Sequence, residues 1–205
     1  MSSPRTLLIA TSNSGKVADL RLLLAQTGID VVGLDAFPNV VEVEETSDTF
    51  AGNARLKAVG YSAQTGLPSL ADDSGLEVAV LDGRPGVLSA RYGGDDLTFA
   101  DKMERLLAEV DATHLSDRSA RFVSSMAVAS AAGEIVGTTD GICEGRLSDS
   151  PRGNGGFGYD PIFVPDGYDE TFGELSAAVK AQISHRARAF SQIMPILRRF
   201  FAIST

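Results

Sequence analysis

Apolar positions along the chain fall into short runs alternating with helix-spaced stripes. Residues 5–10 read as a buried strand that ends in the small polar loop TSNSG. Residues 16–27 put Val17, Leu20, Leu23 and Leu24 on one helical face and stop at Gly28. Residues 31–34 predict a second strand. Ser47 or Asp48 can cap a helix over roughly residues 49–64, closed by Gly66. Residues 69–71 and 76–81 predict two strands flanking an acidic turn, Asp72-Asp73-Ser74-Gly75. Phe99, Met103, Leu106, Leu107 and Val110 mark another amphipathic helix. Residues 121–130 and 134–139 form a predicted hairpin around Ala132-Gly133, and residues 142–147 a further strand. A glycine-rich loop, residues 152–159, precedes a short strand over 162–164. Ile183, Ala187, Phe190, Met194, Leu197 and Phe201 stripe a last helix, with Pro195 as the expected kink.

This order predicts an α/β fold. The sheet must be mixed, because the hairpin around Gly133 is antiparallel. No repeat, low-complexity segment or linker interrupts the chain, so residues 1–205 read as a single domain. Composition keeps that picture: 43% hydrophobic and 22% charged residues are those of an ordinary globular protein. The net charge of −9 argues against non-specific binding to nucleic acid or an anionic membrane, while leaving room for a small anion held by local bases. No stretch approaches the roughly 18 apolar residues of a membrane span, and the apolar run in MSSPRTLLIA is too short for a signal peptide. One cysteine, Cys143, and two histidines, His114 and His185, argue against a zinc centre and fit a reducing cytoplasm.

Six segments could carry chemistry. In IATSNSGKV, a strand runs through Thr11, Ser12, Asn13, Ser14 and Gly15 to Lys16 at a helix start, where backbone N–H groups and the helix dipole favour phosphate. It is not a P-loop, since Ala10 and Val17 replace the first glycine and the magnesium-binding hydroxyl; a capped helix with a solvated lysine fits it equally well. In EVEETSDTFAGNARLKA, Glu42, Glu44 and Glu45 precede a helix on which Asn53 and Lys57 share a face. An acidic surface loop beside an exposed face would look the same. Asp72 and Asp73 offer hard oxygen ligands for Mg²⁺, although one of them could simply order a turn. In GRPGVLSARYGG, Ser89, Arg91 and Tyr92 lie between a Pro-Gly turn and two glycines, which fits a phosphate or base contact or a lid. In PRGNGGFGYDP, Phe157 and Tyr159 sit among glycines that let a backbone approach a ligand, and an aromatic there can stack on a base; a hairpin tip with buried aromatics would read the same. Lys180, His185 and Arg186 gather near a helix start against its dipole, which favours an acceptor nearby over the alternative of a solvated basic face.

TSNSGK, the Thr-Phe-x-x-Asn-Ala-x-x-Lys-Ala run, ADDSGLEV, PGVLSARYGG, GGFGYDPIF and ISHRARA together resemble the inosine triphosphate pyrophosphatase family, the non-canonical purine or dITP/XTP pyrophosphatases. They occur in that family's order from residue 7 to about 200. Val179 departs from it where the family commonly has an acid, and the strand over 122–129 is unusually rich in Ser and Ala. The resemblance implies a long curved mixed sheet with helices, two lobes around a central cleft, and a homodimer. It implies Mg²⁺-dependent hydrolysis of ITP, dITP or XTP to the monophosphate and pyrophosphate, with a related enzyme of pyrimidine or modified-nucleotide preference as the alternative. By matching motifs, Thr11 to Lys16 would cradle the triphosphate, and Glu45 or its neighbour Glu44 would hold the metal. Asp73 would bind metal and act as base, supported by Asp72. Lys57 and Lys180 would neutralise phosphate and Ser74 would touch substrate. Phe157, Gly158, Tyr159 and Asp160 would cover the base, and His185 with Arg186 would read its oxygenated edge.

Overall fold

In the computed structural model, which describes residues 5–203, the first apolar run forms strand β1 (Thr6–Ile9). Helix α1 (Ser14–Leu24) follows, starting two residues before the periodicity indicates because Asn13 caps it, accepting from the Lys16 amide at 3.0 Å. After β2 (Asp30–Gly33), helix α2 (Phe50–Thr65) is capped by Thr49 instead of Ser47 or Asp48. Thr49 Oγ1 accepts from the Gly52 amide at 3.1 Å, and Ser47 Oγ accepts from the Thr49 amide at 3.2 Å. Gly66 ends the helix at φ 69°, as its position suggested.

The acidic turn does not form. Ser69–Val78 is one uninterrupted strand, β3, with Asp72 and Asp73 in its middle. Extended chain survives there because both carboxylates have cationic partners, which removes the desolvation objection to burying them. α3 (Phe99–Ala112) carries a capping box between Thr98 and Asp101. β4 (Ser119–Ala129) and β5 (Ile135–Leu147) make the expected hairpin, closed by Ser130 N–H to Glu134 O at 2.8 Å. β5 is thirteen residues long and fuses two predicted strands across Gly141. After β6 (Phe163–Pro165), the last helical stripe is split into α4 (Ala177–Ile183) and α5 (His185–Phe200). The break falls at Ser184, whose ψ of 158° is extended, while α5 continues through Pro195.

The six strands lie in the order β2-β1-β3-β4-β5-β6. β1 is parallel to β2 and β3, and β5 is antiparallel to β6, so the sheet is mixed. The chain divides into two compact units: one holds the described residues up to Asp73, Ser124–Gly141 and from Arg186 onward; the other holds Ser74–Val123 and Ile142–His185.

In the first unit, side chains alternate between two faces of the sheet. Leu7, Ile9, Leu70, Met126 and Val128 pack with α1 and α5; Leu8, Ala10, Ala71, Ala127 and Ala129 pack with α2 through Ala54 and Ala58. The Ala-rich β4 therefore has a reason: small residues on both partners let α2 approach closely enough for Lys57 to reach β3.

The second unit is built around Leu76, Leu106, Phe122, Phe163 and Phe172. There Gly145 pairs with Pro165, and a Cβ at Gly145 would run into the Val164 carbonyl oxygen and lie 2.7 Å from the Phe163 ring. Gly145→Ala is expected to lower stability by about 1–3 kcal/mol through overpacking of a site with no slack, read as a lower urea midpoint.

Candidate active site

Asp72 and Asp73 are neighbours on a strand, so their side chains leave on opposite faces. Asp73 shares the parity of Ala71 and faces α2; Asp72 shares that of Leu70 and faces α1 and α5. Two acids side by side thus serve two clusters, one on each face, which both feel the charge of Lys16.

On the α2 face, Lys57 Nζ donates to Asp73 Oδ1 at 2.9 Å and to Glu45 Oε1 at 2.7 Å. Asp73 is 5% exposed, and its Oδ2 is buried without a hydrogen-bond partner. Asn53 lies one turn before Lys57 on α2, fully buried, with Oδ1 accepting from the Ser47 amide at 2.9 Å and Nδ2 unpartnered. An orphaned acceptor and an orphaned donor beside a lysine are the polar remainder that a bound ligand would complete. Burial pushes the Asp73 carboxyl up, with Lys57 and Lys16 pulling it only partly back. Burial also works against the Lys57 charge, but Asp73 and Glu45 outweigh it and hold Lys57 above the ordinary lysine range.

On the other face, Asp72 is fully buried. It accepts from Ser124 Oγ at 2.5 Å and pairs with Arg186 at 3.2 Å and Lys16 Nζ at 3.1 Å. Arg186 turns its other nitrogen to Asp19 on α1 at 2.7 Å. Asp72 and Asp19 overcome the burial of this guanidinium and raise its pKa further. Lys16 lies beyond the helix start that Thr11 and Asn13 shape, Thr11 Oγ1 accepting from the Asn13 amide at 3.2 Å. Ser12 and Ser14 are exposed and Gly15 is half-buried at this helix start, the kind of end that offers N–H groups to an anion. Burial lowers the Lys16 pKa; Asp72 opposes this, and Lys57 and Arg186 reinforce it.

The second unit holds a separate cluster. Asp160, 2% exposed, accepts from the Phe157 amide at 2.7 Å and from Lys180 Nζ at 2.5 Å. Lys180 lies over the Phe157 ring, 4.7 Å from its centroid. The loop needs glycine at 156: φ is +69°, and a Cβ there would collide with the Asp160 carboxylate. Gly158 also takes a positive φ, 64°. Tyr159 is core, its hydroxyl donating to Ser89 O at 3.0 Å and its ring meeting Phe99 edge-on at 5.6 Å. Burial pushes its phenol well above the ordinary tyrosine range. His185 stacks on Phe122 with centroids 4.7 Å apart. Ser74 follows Asp73 on β3 and is half-buried.

The predicted residues therefore separate into groups. Lys16, Glu45, Lys57, Asp72, Asp73 and Arg186 gather in the first unit, and Phe157, Asp160 and Lys180 gather in the second. The Arg186 guanidinium pairs with Asp72 and Asp19. Tyr92 and Ser89 are structural: Tyr92 bonds Glu109, and Ser89 Oγ accepts from the Leu76 amide at 2.9 Å. Glu45 is half-buried and Glu44 exposed, which identifies Glu45 as the inward acid. Asp19 and Ser124 escaped notice. Each sits in a stretch otherwise read for packing, and only that interruption, an acid three residues after Lys16 and a serine in a buried strand, could have flagged them.

The Ham1 family model matches residues 7–196. The dITP/XTP pyrophosphatase of Geobacillus kaustophilus is 44% identical over 189 residues, covering 92% of each chain. That of Streptomyces coelicolor is 44% identical over 194 residues, 94% of this chain and 96% of the other. A HAM1 protein from Coxiella burnetii superposes with a TM-score of 0.86 at 39% identity, over 95% of this chain and 98% of that one. The order of motifs, the mixed six-stranded sheet and these relatives agree: the chain belongs to the Ham1 family.

Proposed function

We propose that this chain is a Mg²⁺-dependent nucleoside triphosphate pyrophosphatase that hydrolyses ITP, dITP or XTP to the monophosphate and pyrophosphate, so keeping non-canonical purines out of nucleic acid. The observation that carries the reading is the Asp73 carboxylate, buried, anchored by Lys57 through one oxygen and with the other unpartnered.

The residues fit Mg²⁺. Among the described residues, no three acidic, histidine or cysteine side chains form a ready-made cation cage. Mg²⁺ does not need one: it commonly binds through one or two carboxylates plus waters and substrate phosphates. Glu45 and Asp73, bridged by one ammonium, would be those carboxylates. Bound Mg²⁺ would supply positive charge to the phosphate oxygens and to the departing pyrophosphate.

The protein's own groups do the rest. The first turn of α1 and Lys16 hold phosphate, and Lys57 adds charge where the α–β anhydride bond breaks. Asp73 takes the proton from the water that attacks the α-phosphorus. Phe157 and Asp160, with His185, would recognise the base, and Lys180 would add charge for phosphate. The relatives' name, dITP/XTP pyrophosphatase, supports this substrate class.

The test is a substrate panel with Mg²⁺ and separate detection of pyrophosphate and orthophosphate. Pyrophosphate release from ITP, dITP or XTP is expected to exceed that from ATP and GTP on the order of 10²-fold or more in kcat/KM. Equal rates would overturn the specificity, faster turnover of dUTP or dTTP would give the pyrimidine preference instead, and orthophosphate would overturn the bond assignment. The homodimer and the cytoplasmic location belong to the same proposal. Light scattering should give twice the 21.5 kDa chain mass. No helix among the described residues is long and apolar enough to cross a membrane.

A further inference from the structure

Residues 41–47 belong to no strand, yet one face of α2 fixes every second residue. Gln64 Oε1 accepts from the Val41 amide at 2.7 Å and its Nε2 donates to the Val41 carbonyl at 3.0 Å, as a neighbouring strand would. The Tyr61 hydroxyl accepts from the Val43 amide at 3.3 Å. Lys57 holds Glu45, and Asn53 accepts from the Ser47 amide at 2.9 Å. Extended chain advances about 6.8 Å per two residues. Steps of three or four residues along a helix advance about 4.5–6 Å. The two repeats stay close enough in phase for 41, 43, 45 and 47 to meet 64, 61, 57 and 53.

Two glycines inside α2 complete the match. A Cβ at Gly60 would lie 2.6 Å from Val43 Cγ2, and one at Gly52 would collide with Ser47 Oγ. Glycine weakens a helix interior relative to alanine. Here its presence is explained by the backbone it lets in.

We propose that Gln64 and Tyr61 are positioning residues that strap residues 41–47 along α2 and so aim Glu45 at Asp73 and the metal. The proposal rests on the assignment of Glu45 to Mg²⁺ made above. The strap's parity turns Glu45 inward and leaves Glu42 and Glu44 to solvent. It replaces sheet pairing with side-chain reading of the backbone, so Glu45 is held by a helix that also carries Lys57.

The test uses the full chain with the double variant Gln64→Ala/Tyr61→Phe, with Gly60→Ala, and with Glu45→Gln as reference. In metal-free protein, the amides of Val41, Val43 and Ser47 should exchange hydrogen faster in the first two variants than in the wild type. Unchanged exchange would overturn the strap. Mn²⁺ binding, followed by electron paramagnetic resonance without nucleotide, should weaken by about tenfold in both, as for lost outer partners of a ligand, and by more in Glu45→Gln. Gly60→Ala is the sharper case: alanine favours the helix yet should weaken Mn²⁺ binding. Weakening in Glu45→Gln with wild-type affinity in the other two would overturn the proposal. Wild-type Mn²⁺ affinity in Glu45→Gln would overturn the metal assignment and, with it, the aiming role, while faster exchange would still establish the strap.

Discussion

Asp73→Asn is expected to lower kcat by about 10²–10⁴-fold, the usual share of a general base, while an α,β-methylene nucleotide still binds by calorimetry. Asn keeps the size of the side chain and an oxygen for Lys57, and Glu45 remains on the same ammonium. What it loses is the ability to take the water's proton. Turnover near that of the wild type would place the base elsewhere. The same substitution acts on stability in two opposed ways: it takes one of its two acids from the buried Lys57 ammonium, and it removes a pH-dependent penalty at Asp73 itself. Burial raises the Asp73 pKa above its unfolded value, so the native state holds more protons across that window. Stability then falls as pH rises from the unfolded value through the raised one, and the deficit is fully present above it. Asp73→Asn should lack this step.

The fold class and element order were legible because periodicity and turn residues are local signals. The acidic pair was not. Read locally, Asp-Asp-Ser-Gly is a turn; in the structure it is mid-strand, because cations 16, 56 and 114 residues away neutralise it. Nothing in the local pattern announces such partners. β5 joins the strands predicted over 134–139 and 142–147, because the sheet carries the chain through Asp140 and Gly141. In the candidate site, residue types were legible and roles less so. Lysines and acids at these spacings pointed to phosphate and metal, but the choice of Glu45 over Glu44 needed the parity of an extended segment. Arg186 shows the limit most clearly. Its position next to His185 suggests a contact with the base, and nothing in the local pattern announces that its guanidinium bridges two carboxylates, Asp72 and Asp19.

That placement gives Arg186 a measurable structural load. It is 1% exposed, and its guanidinium bridges Asp72 on β3 to Asp19 on α1. Arg186→Met keeps an unbranched apolar stem but strands a fully buried carboxylate with only Lys16 and Ser124 among the partners described above. Breaking one side of a buried ion pair costs about 3–5 kcal/mol, so the melting temperature should fall by roughly 6–20 °C. Arg186→Lys should recover little, since a single ammonium cannot span two carboxylates as a planar fork does. Adding Asp72→Asn to Arg186→Met should restore much of the loss, because the stranded charge is then gone; a double-mutant cycle measures that coupling. If Arg186→Met instead melts like the wild type while losing its preference for ITP over GTP, the guanidinium is spent on the base and the pairs with Asp72 and Asp19 are incidental. If stability falls and the preference stays, Arg186 is the pin that fixes Asp72, and through Asp72 the Lys16 ammonium, beside the phosphate loop.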